Sequence, residues 1–187
     1  MKTTAIVLAA GQGKRMHSTV QKQFMILKGK PLLCYSLSCF QKSREIDEII
    51  LVTGEESIDF CKEDIVEKYG FSKVRTVAAG GRERYDSVYQ GLLACQDCDY
   101  VFIHDGARPF VTEEILARAK TAAVAHRAAV VGMPSKDTVK IADGNQMISQ
   151  TPNRSLVWTI QTPQVFSYSL IRKAYEKARD KSMVNIT

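Results

Sequence analysis

Thr4-Ala5-Ile6-Val7-Leu8-Ala9-Ala10-Gly11-Gln12-Gly13-Lys14-Arg15-Met16 is an apolar run that breaks into small residues, two glycines and two cations. The apolar part is too short for the core of a signal peptide, and no stretch of the chain approaches the ~20 apolar residues of a membrane span. It reads as a first buried strand over residues 4–9. Small residues placed directly after such a strand let the backbone approach a ligand, and their N–H groups can hold phosphate oxygens. The spacing is not that of a G-x-x-x-x-G-K-[ST] loop, and Met16 stands where a dinucleotide fingerprint needs its third glycine. Lys14, Arg15 and, a little further on, Lys22 supply cations where a triphosphate would need them.

Outward from this stretch, β-branched apolar runs alternate with segments of helical period. Strands are expected at 48–53, 74–78, 100–104 and 129–133, and helices at 31–41, 57–69, 84–95, 113–126 and 167–181. Pro31 suits a first helical turn, and Thr112 is the N-cap expected for the fourth helix, with Glu113 and Glu114 in its first turn. The alternation predicts a single α/β domain over residues 1–187: a Rossmann-like, mostly parallel sheet with helices on both faces. Residues 135–160 break the pattern. Thr138-Val139-Lys140-Ile141 and Met147-Ile148-Ser149 flank Asp143-Gly144-Asn145, a hairpin signal, so a β-hairpin arm is expected to project as a dimerisation element or a flap.

The 187 residues carry a net charge of +6, and its placement is uneven. Residues 1–44 hold eight Lys or Arg and no Asp or Glu, and the remainder is nearly balanced. The basic quarter coincides with the glycine-rich loop, which suits an anionic ligand. No aromatic-interleaved basic stripe points to nucleic acid. The five cysteines are odd in number and scattered; Cys95 and Cys98 have half the spacing of a zinc site, with no second pair to complete it. A cytoplasmic location, with no membrane partner, is the expectation.

In parallel α/β sheets ligands bind outside the carboxyl ends of the strands, so two further strand-to-loop junctions matter. Gly80-Gly81-Arg82-Glu83-Arg84-Tyr85-Asp86-Ser87 pairs two glycines with a helix N-terminus. The competing reading is a tight turn with surface charges at Arg84 and Asp86. His104-Asp105-Gly106-Ala107-Arg108-Pro109 places a carboxylate at the sheet edge, where one acid beside substrate phosphates can hold Mg²⁺. Arg108 could instead pair with Asp105 in a purely structural role. A hydrolytic triad is unsupported, because there is no G-x-S-x-G elbow and His104 and Asp105 are adjacent on one strand.

In order along the chain, L-A-A-G-x-G-x-R-M, K-Q-F, G-G-x-E-R-x-D-S-V, H-D-x-A-R-P, K-D-T-V-K and T-P-Q-V-F resemble the 2-C-methyl-D-erythritol 4-phosphate cytidylyltransferase family of the non-mevalonate isoprenoid pathway. The likeness runs from Ala5 to Phe166. It implies a CTP-dependent nucleotidyltransferase that uses Mg²⁺ and releases pyrophosphate. It further implies Ala9, Ala10, Gly11 and Gly13 against the nucleotide, Gly81, Arg82 and Ser87 around cytosine and ribose, and Asp105 as both nucleotide contact and metal ligand. Arg15, Lys22 and Arg154 would be the catalytic cations. Thr138, Lys140, Arg154 and Thr162 would surround the methylerythritol phosphate, with the arm reaching a partner subunit of a homodimer.

The chemistry is consistent with these residues. The attacking phosphate oxygen is already ionised, so no general base is needed, and charge on the α-phosphorus and departing pyrophosphate must be stabilised. An arginine fork suits equatorial oxygens, which gives Arg15 the geometric role and Lys22 that of neutralising charge. Ribitol-5-phosphate cytidylyltransferase is the nearest alternative, with the polyol-facing blocks 136–140 and 154–158 as the residues that would separate the two. The resemblance also implies a continuation past Asn185-Ile186-Thr187 that carries a second metal-binding aspartate and a lysine. A C-terminally truncated member is therefore expected, with an inactive nucleotide-binding module as the other alternative.

Overall fold

The computed structural model describes residues 1–11 and 20–180. Its main sheet has six strands in the order β5 (Val74–Ala79), β4 (Glu48–Thr53), β1 (Thr3–Ala9), β6 (Tyr100–Asp105), β10 (Trp158–Ser167) and β7 (Ala128–Pro134). The pairs β5–β4, β4–β1 and β1–β6 are parallel, and β10 runs antiparallel to both β6 and β7. Side chains alternate across the sheet. Ala5, Val7, Ile49, Leu51 and Phe102 face one way, while Ile6, Ile50, Val52, Val101 and Ile103 face the other, all essentially inaccessible.

Helices cover both faces. On the first face lie α1 (Leu32–Lys42), α2 (Ile58–Phe60, continued as a π-helix over Cys61–Glu67) and α4 (Glu113–His126), which bury Leu33, Leu37, Phe40, Ile65 and Leu116. On the second lie α3 (Arg84–Ala94) and α5 (Tyr168–Asp180), with Val88 and Leu92 buried and Ile171 packed against them. Each fully buried Leu, Ile or Phe contributes about 1.5–3 kcal/mol, so two apolar layers account for the sheet's rigidity. Thr112 caps α4 as its sequence suggests, accepting the Ile115 N–H at 3.3 Å. All five cysteines are free thiols, and burial pushes Cys34 up to about 11.

The fold matches the expected α/β class, with three departures. Strand β10 was not expected, because Pro163 inside the run argues against a strand within a sheet. It is accommodated by a register shift between Ile160 and Gln164, where the Thr162–Pro163 peptide is cis. The helix expected at 57–69 is partly π-helical, with Phe71 N–H reaching Val66 O at 3.0 Å where it ends. The arm is a hairpin as expected, but its strands shrink to β8 (Ile141–Ala142) and β9 (Ile148–Gln150), both exposed. Its turn is organised by the Asp143 carboxylate, which accepts N–H from Asn145 and Met147, and the left-handed residue is Gln146 rather than Gly144. A last two-stranded ribbon, β2 (Ile26–Leu27) and β3 (Lys30–Pro31), leads into α1. No helix among the described residues is long and apolar enough to cross a membrane.

Candidate active site

From β1 the chain moves to β4 and β5 on one side, then returns to β6 on the other, so the crevice beside the carboxyl end of β1 is the sheet's switch point. A cleft of about 590 Å³ opens there, lined by residues of all three glycine- and aspartate-bearing junctions: Ala10 and Gly11, Gly81 to Arg84 with Ser87, and Asp105 with Ala107. Two backbone links lock the junctions together. Gly106 N–H donates to Leu8 O at 2.8 Å, and Gly80 N–H to Thr53 O at 2.7 Å.

The glycines divide by what surrounds them. A Cβ at Gly80 would lie 2.6 Å from that of Ala10, so Gly80 lets the second junction pack on the first, and one at Gly81 would lie 2.2 Å from that of Asp86, so Gly81 lets the turn close on the start of α3. Gly11 differs: a Cβ there meets no atom of the described residues within 4 Å, and Gly11 itself lines the cleft. The carbonyls on either side are fixed by Gln23, a buried amide whose Nε2 donates to Ala9 O at 2.6 Å and Gly11 O at 3.0 Å. Ala9 itself turns its methyl into the core and is not on the cleft wall. Gly13 and Arg15 lie outside the described residues.

Ser87 borders the cleft but is buried, and its hydroxyl is engaged. It accepts Gly81 N–H at 3.1 Å and donates to Glu83 O at 3.2 Å, so it shapes the glycine turn from within. Glu83 and Asp86 form a reciprocal capping box at the start of α3. Arg82 is exposed at the rim and has no ion-pair partner among the described residues. Lys22 is likewise exposed, on the short helical turn Lys22–Phe24 directly beside the Gln23 latch, and no carboxylate among the described residues pairs with it.

Asp105 is the electrostatic centre. Its Oδ1 accepts from Arg84 Nε at 3.1 Å, with Arg84 Nη2 also 3.1 Å away, and its Oδ2 accepts from Arg108 Nε at 3.0 Å. The pairing of Arg108 with Asp105 that the sequence left open is present, and Arg84, read there as a surface charge, pairs with the same carboxylate. The cluster is half-open, with side-chain exposures of 29% for Asp105, 48% for Arg84 and 44% for Arg108. Two glutamines complete it: Gln161 Oε1 accepts from Arg108 Nη1, and Gln164 Oε1 accepts from Arg84 Nη2 at 3.5 Å. Among the described residues no group of three His, Cys, Asp or Glu gathers as a metal cluster. One carboxylate at a phosphate-sized cleft is nonetheless what Mg²⁺ needs from protein when phosphates and water supply its other ligands, and Asp105, whose Oδ2 accepts from Arg108 alone and keeps a second lone pair, fits that part.

Behind Asp105 lies a buried relay. Asp105 N–H donates to Thr162 Oγ1 at 3.2 Å, Thr162 Oγ1 is 3.1 Å from His104 Nδ1, and His104 Nε2 is 3.2 Å from Arg108 O. A carbonyl can only accept, so Nε2 carries the proton, Nδ1 accepts, and the Thr162 hydroxyl donates to it. Burial drives the His104 pKa down from 6.5 to about 4, so the imidazole is neutral. Between pH 6.5 and about 4 the unfolded chain binds a proton here that the folded chain refuses. Stability from this group is therefore full above pH 6.5 and lost as pH falls toward 4, by an amount on the order of 3 kcal/mol. Urea unfolding in EDTA at pH 7, 6, 5 and 4 should show that loss, and His104→Gln should flatten it.

The remaining sequence candidates lie elsewhere. Thr138, Lys140 and Arg154 are exposed on or beside the arm and do not line the cleft: Lys140 Nζ donates to Thr151 Oγ1 at 2.8 Å and Arg154 Nη1 to Lys136 O at 3.3 Å. Thr162 reaches the site only through its relay to Asp105. Sequence reasoning missed Gln23, Gln161 and Gln164. The only signal for them was their position inside the K-Q-F and T-P-Q motifs or beside one, since a lone glutamine has no periodicity to betray it.

Comparison with known proteins joins these observations. The family model described as 2-C-methyl-D-erythritol 4-phosphate cytidylyltransferase matches residues 3–187. The chain is 51% identical over 175 residues to the protein of that name from Lachnoclostridium phytofermentans, covering 94% of this chain and 75% of the relative. It is 44% identical over 185 residues to the one from Caldanaerobacter subterraneus, covering 98% and 82% respectively. Among solved structures, 4-diphosphocytidyl-2C-methyl-D-erythritol synthase from Anaerococcus prevotii superposes with a TM-score of 0.83 at 37% identity, over 96% of this chain and 75% of that one.

Proposed function

Because the chain belongs to the 2-C-methyl-D-erythritol 4-phosphate cytidylyltransferase family, we propose that it transfers CMP from CTP to 2-C-methyl-D-erythritol 4-phosphate and releases pyrophosphate. The observation that carries this reading is the convergence of Gly11, Gly81 and Asp105 on one cleft at the switch point of the sheet. The backbone around Gly11 and Gly81 admits the nucleotide at close range, and Arg84 and Asp105 form the polar end of the same cleft, with Arg108 paired to Asp105 outside its lining.

In the reaction a phosphate oxygen of the alcohol phosphate bonds to the α-phosphorus of CTP. The bond from that phosphorus to the bridging oxygen breaks, and its electron pair leaves on pyrophosphate. The nucleophile is ionised at neutral pH, so the protein's work is to align two polyanions and offset their repulsion. Lys22 and Arg15 would neutralise the triphosphate, and Arg84 and Arg108 would offer forked donors from the Asp105 side. Mg²⁺, held by Asp105, would supply Lewis-acid stabilisation of phosphate charge. Arg154, Thr138 and Lys140, which do not line the cleft of their own chain, would complete the alcohol-phosphate site of a second copy, making the enzyme a homodimer joined through its arms. A cytoplasmic location belongs to the same proposal.

Pyrophosphate release from CTP and Mg²⁺ tests the substrate. Release with methylerythritol phosphate and at least tenfold less with ribitol 5-phosphate is expected. The reverse preference would move the protein to the ribitol enzyme's activity.

A further inference from the structure

Between Gln161 and Gln164 the chain compresses three hydrogen-bonding side chains into four residues, and each meets a different part of one cluster. Gln161 meets Arg108, Thr162 meets the Asp105 N–H and His104, and Gln164 meets Arg84. A regular strand could not do this, because neighbouring side chains would point to opposite faces. The pairing of β10 with β7 shows how the rule is escaped. Ile160 pairs with Gly132 and Gln164 with Val130, so four steps along β10 match only two along β7. The extra residues bulge out, and bulges of this kind re-aim side chains.

Each arginine is consequently gripped at two points. Arg84 rests on Asp105 Oδ1 through Nε and Nη2, and its Nη2 also reaches Gln164 Oε1 at 3.5 Å, while Arg108 rests on Asp105 through Nε and on Gln161 through Nη1. An arginine on an exposed carboxylate alone can swing, whereas a second acceptor at the far end of the guanidinium fixes the plane of the fork. Its remaining N–H groups then keep one direction, which is the preorganisation that recognition of phosphate oxygens requires.

We propose that Gln161 and Gln164 are positioning residues of the transferase site, holding Arg108 and Arg84 in the orientation in which they receive phosphate. The inference rests on the proposed function for what the arginines receive, and on the geometry alone for the grip. Arg84 lines the cleft and Arg108 does not, so the two glutamines serve different substrates: Gln164 the nucleotide, Gln161 the alcohol phosphate.

Gln161→Met and Gln164→Met keep side-chain length and remove the acceptor; Gln161→Glu and Gln164→Glu restore an acceptor oxygen. NMR of the arginine Nε–H groups reads the grip directly in the full chain. Each Met substitution should broaden or lose the signal of its own arginine and spare the other, and each Glu substitution should retain it. In turnover, Gln164→Met should raise KM for CTP about tenfold and Gln161→Met should raise KM for methylerythritol phosphate about tenfold, with melting temperatures unchanged. Unaltered arginine signals in the Met variants overturn the grip whether or not the chain turns over. Altered signals with unchanged KM values in an active chain overturn the positioning role. A wild-type chain without turnover counts against the functional reading, and the arginine signals still decide the grip.

Discussion

Asp105→Asn should reduce turnover about a thousandfold while leaving the protein folded. The carboxylate is the one negative charge between Arg84 and Arg108, with contacts of 3.0–3.1 Å, and in the proposed mechanism it is also the metal ligand. Asparagine keeps the shape but leaves two guanidinium groups facing each other without a counter-charge. They will separate, and the donors aimed at the phosphates lose their direction; loss of one such preorganised group alone typically costs 10²–10³ in rate. Stability should change little, because half-exposed ion pairs contribute about 0–1 kcal/mol each. The backbone N–H of residue 105 still has Thr162. Pyrophosphate release and a thermal melt on the same preparation check both halves. A melt lowered by more than ten degrees would instead make Asp105 a structural residue.

Lys22→Ala should lower kcat by about 10²–10³ with no change in melting temperature. The Lys22 side chain is exposed and has no ion-pair partner among the described residues, and the backbone bond its carbonyl accepts from Met25 N–H survives the substitution. Its neighbour Gln23, however, is buried and bonded to the carbonyls of Ala9 and Gly11, so the backbone bearing Lys22 is anchored to the start of the glycine-rich loop. A cation fixed at that distance from the loop and unclaimed by protein carboxylates is suited to a triphosphate. Lys22→Arg should recover part of the rate, since charge matters more there than the shape of the group. Near-wild-type turnover in Lys22→Ala would remove Lys22 from the mechanism.

How far the sequence could be read follows from what each residue needed. Strands such as β4 and β6 were legible because they are buried on both faces and written as continuous apolar runs, Ile49 to Val52 and Val101 to Ile103. The cleft was legible through residues that stand out locally: glycines following β1 and β5 and an aspartate at the end of β6. Strand β10 was hidden because Pro163 breaks the strand signal, although Val165 and Phe166 carry it on either side of the sheet. The grip on the arginines was invisible for another reason. Arg84 and Gln164 are 80 residues apart and Arg108 and Gln161 are 53 apart, so their meeting is a product of topology and of a bulge that no local pattern announces. His104 shows the same limit: its place beside Asp105 argued only against a triad, and only the fold reveals a neutral, buried imidazole that links, through Thr162, the backbone at Asp105 to that at Arg108.

The central claim is that this chain joins CMP to methylerythritol phosphate in the cleft between its glycine junctions. Incubating the protein with CTP labelled at the α-phosphorus, Mg²⁺ and methylerythritol phosphate tests it most directly. The account predicts that the label appears in a CDP-alcohol, in one-to-one ratio with pyrophosphate, and that Asp105→Asn slows both about a thousandfold. Label remaining wholly in CTP, under conditions where a full-length relative consumes it, would contradict the account for this chain.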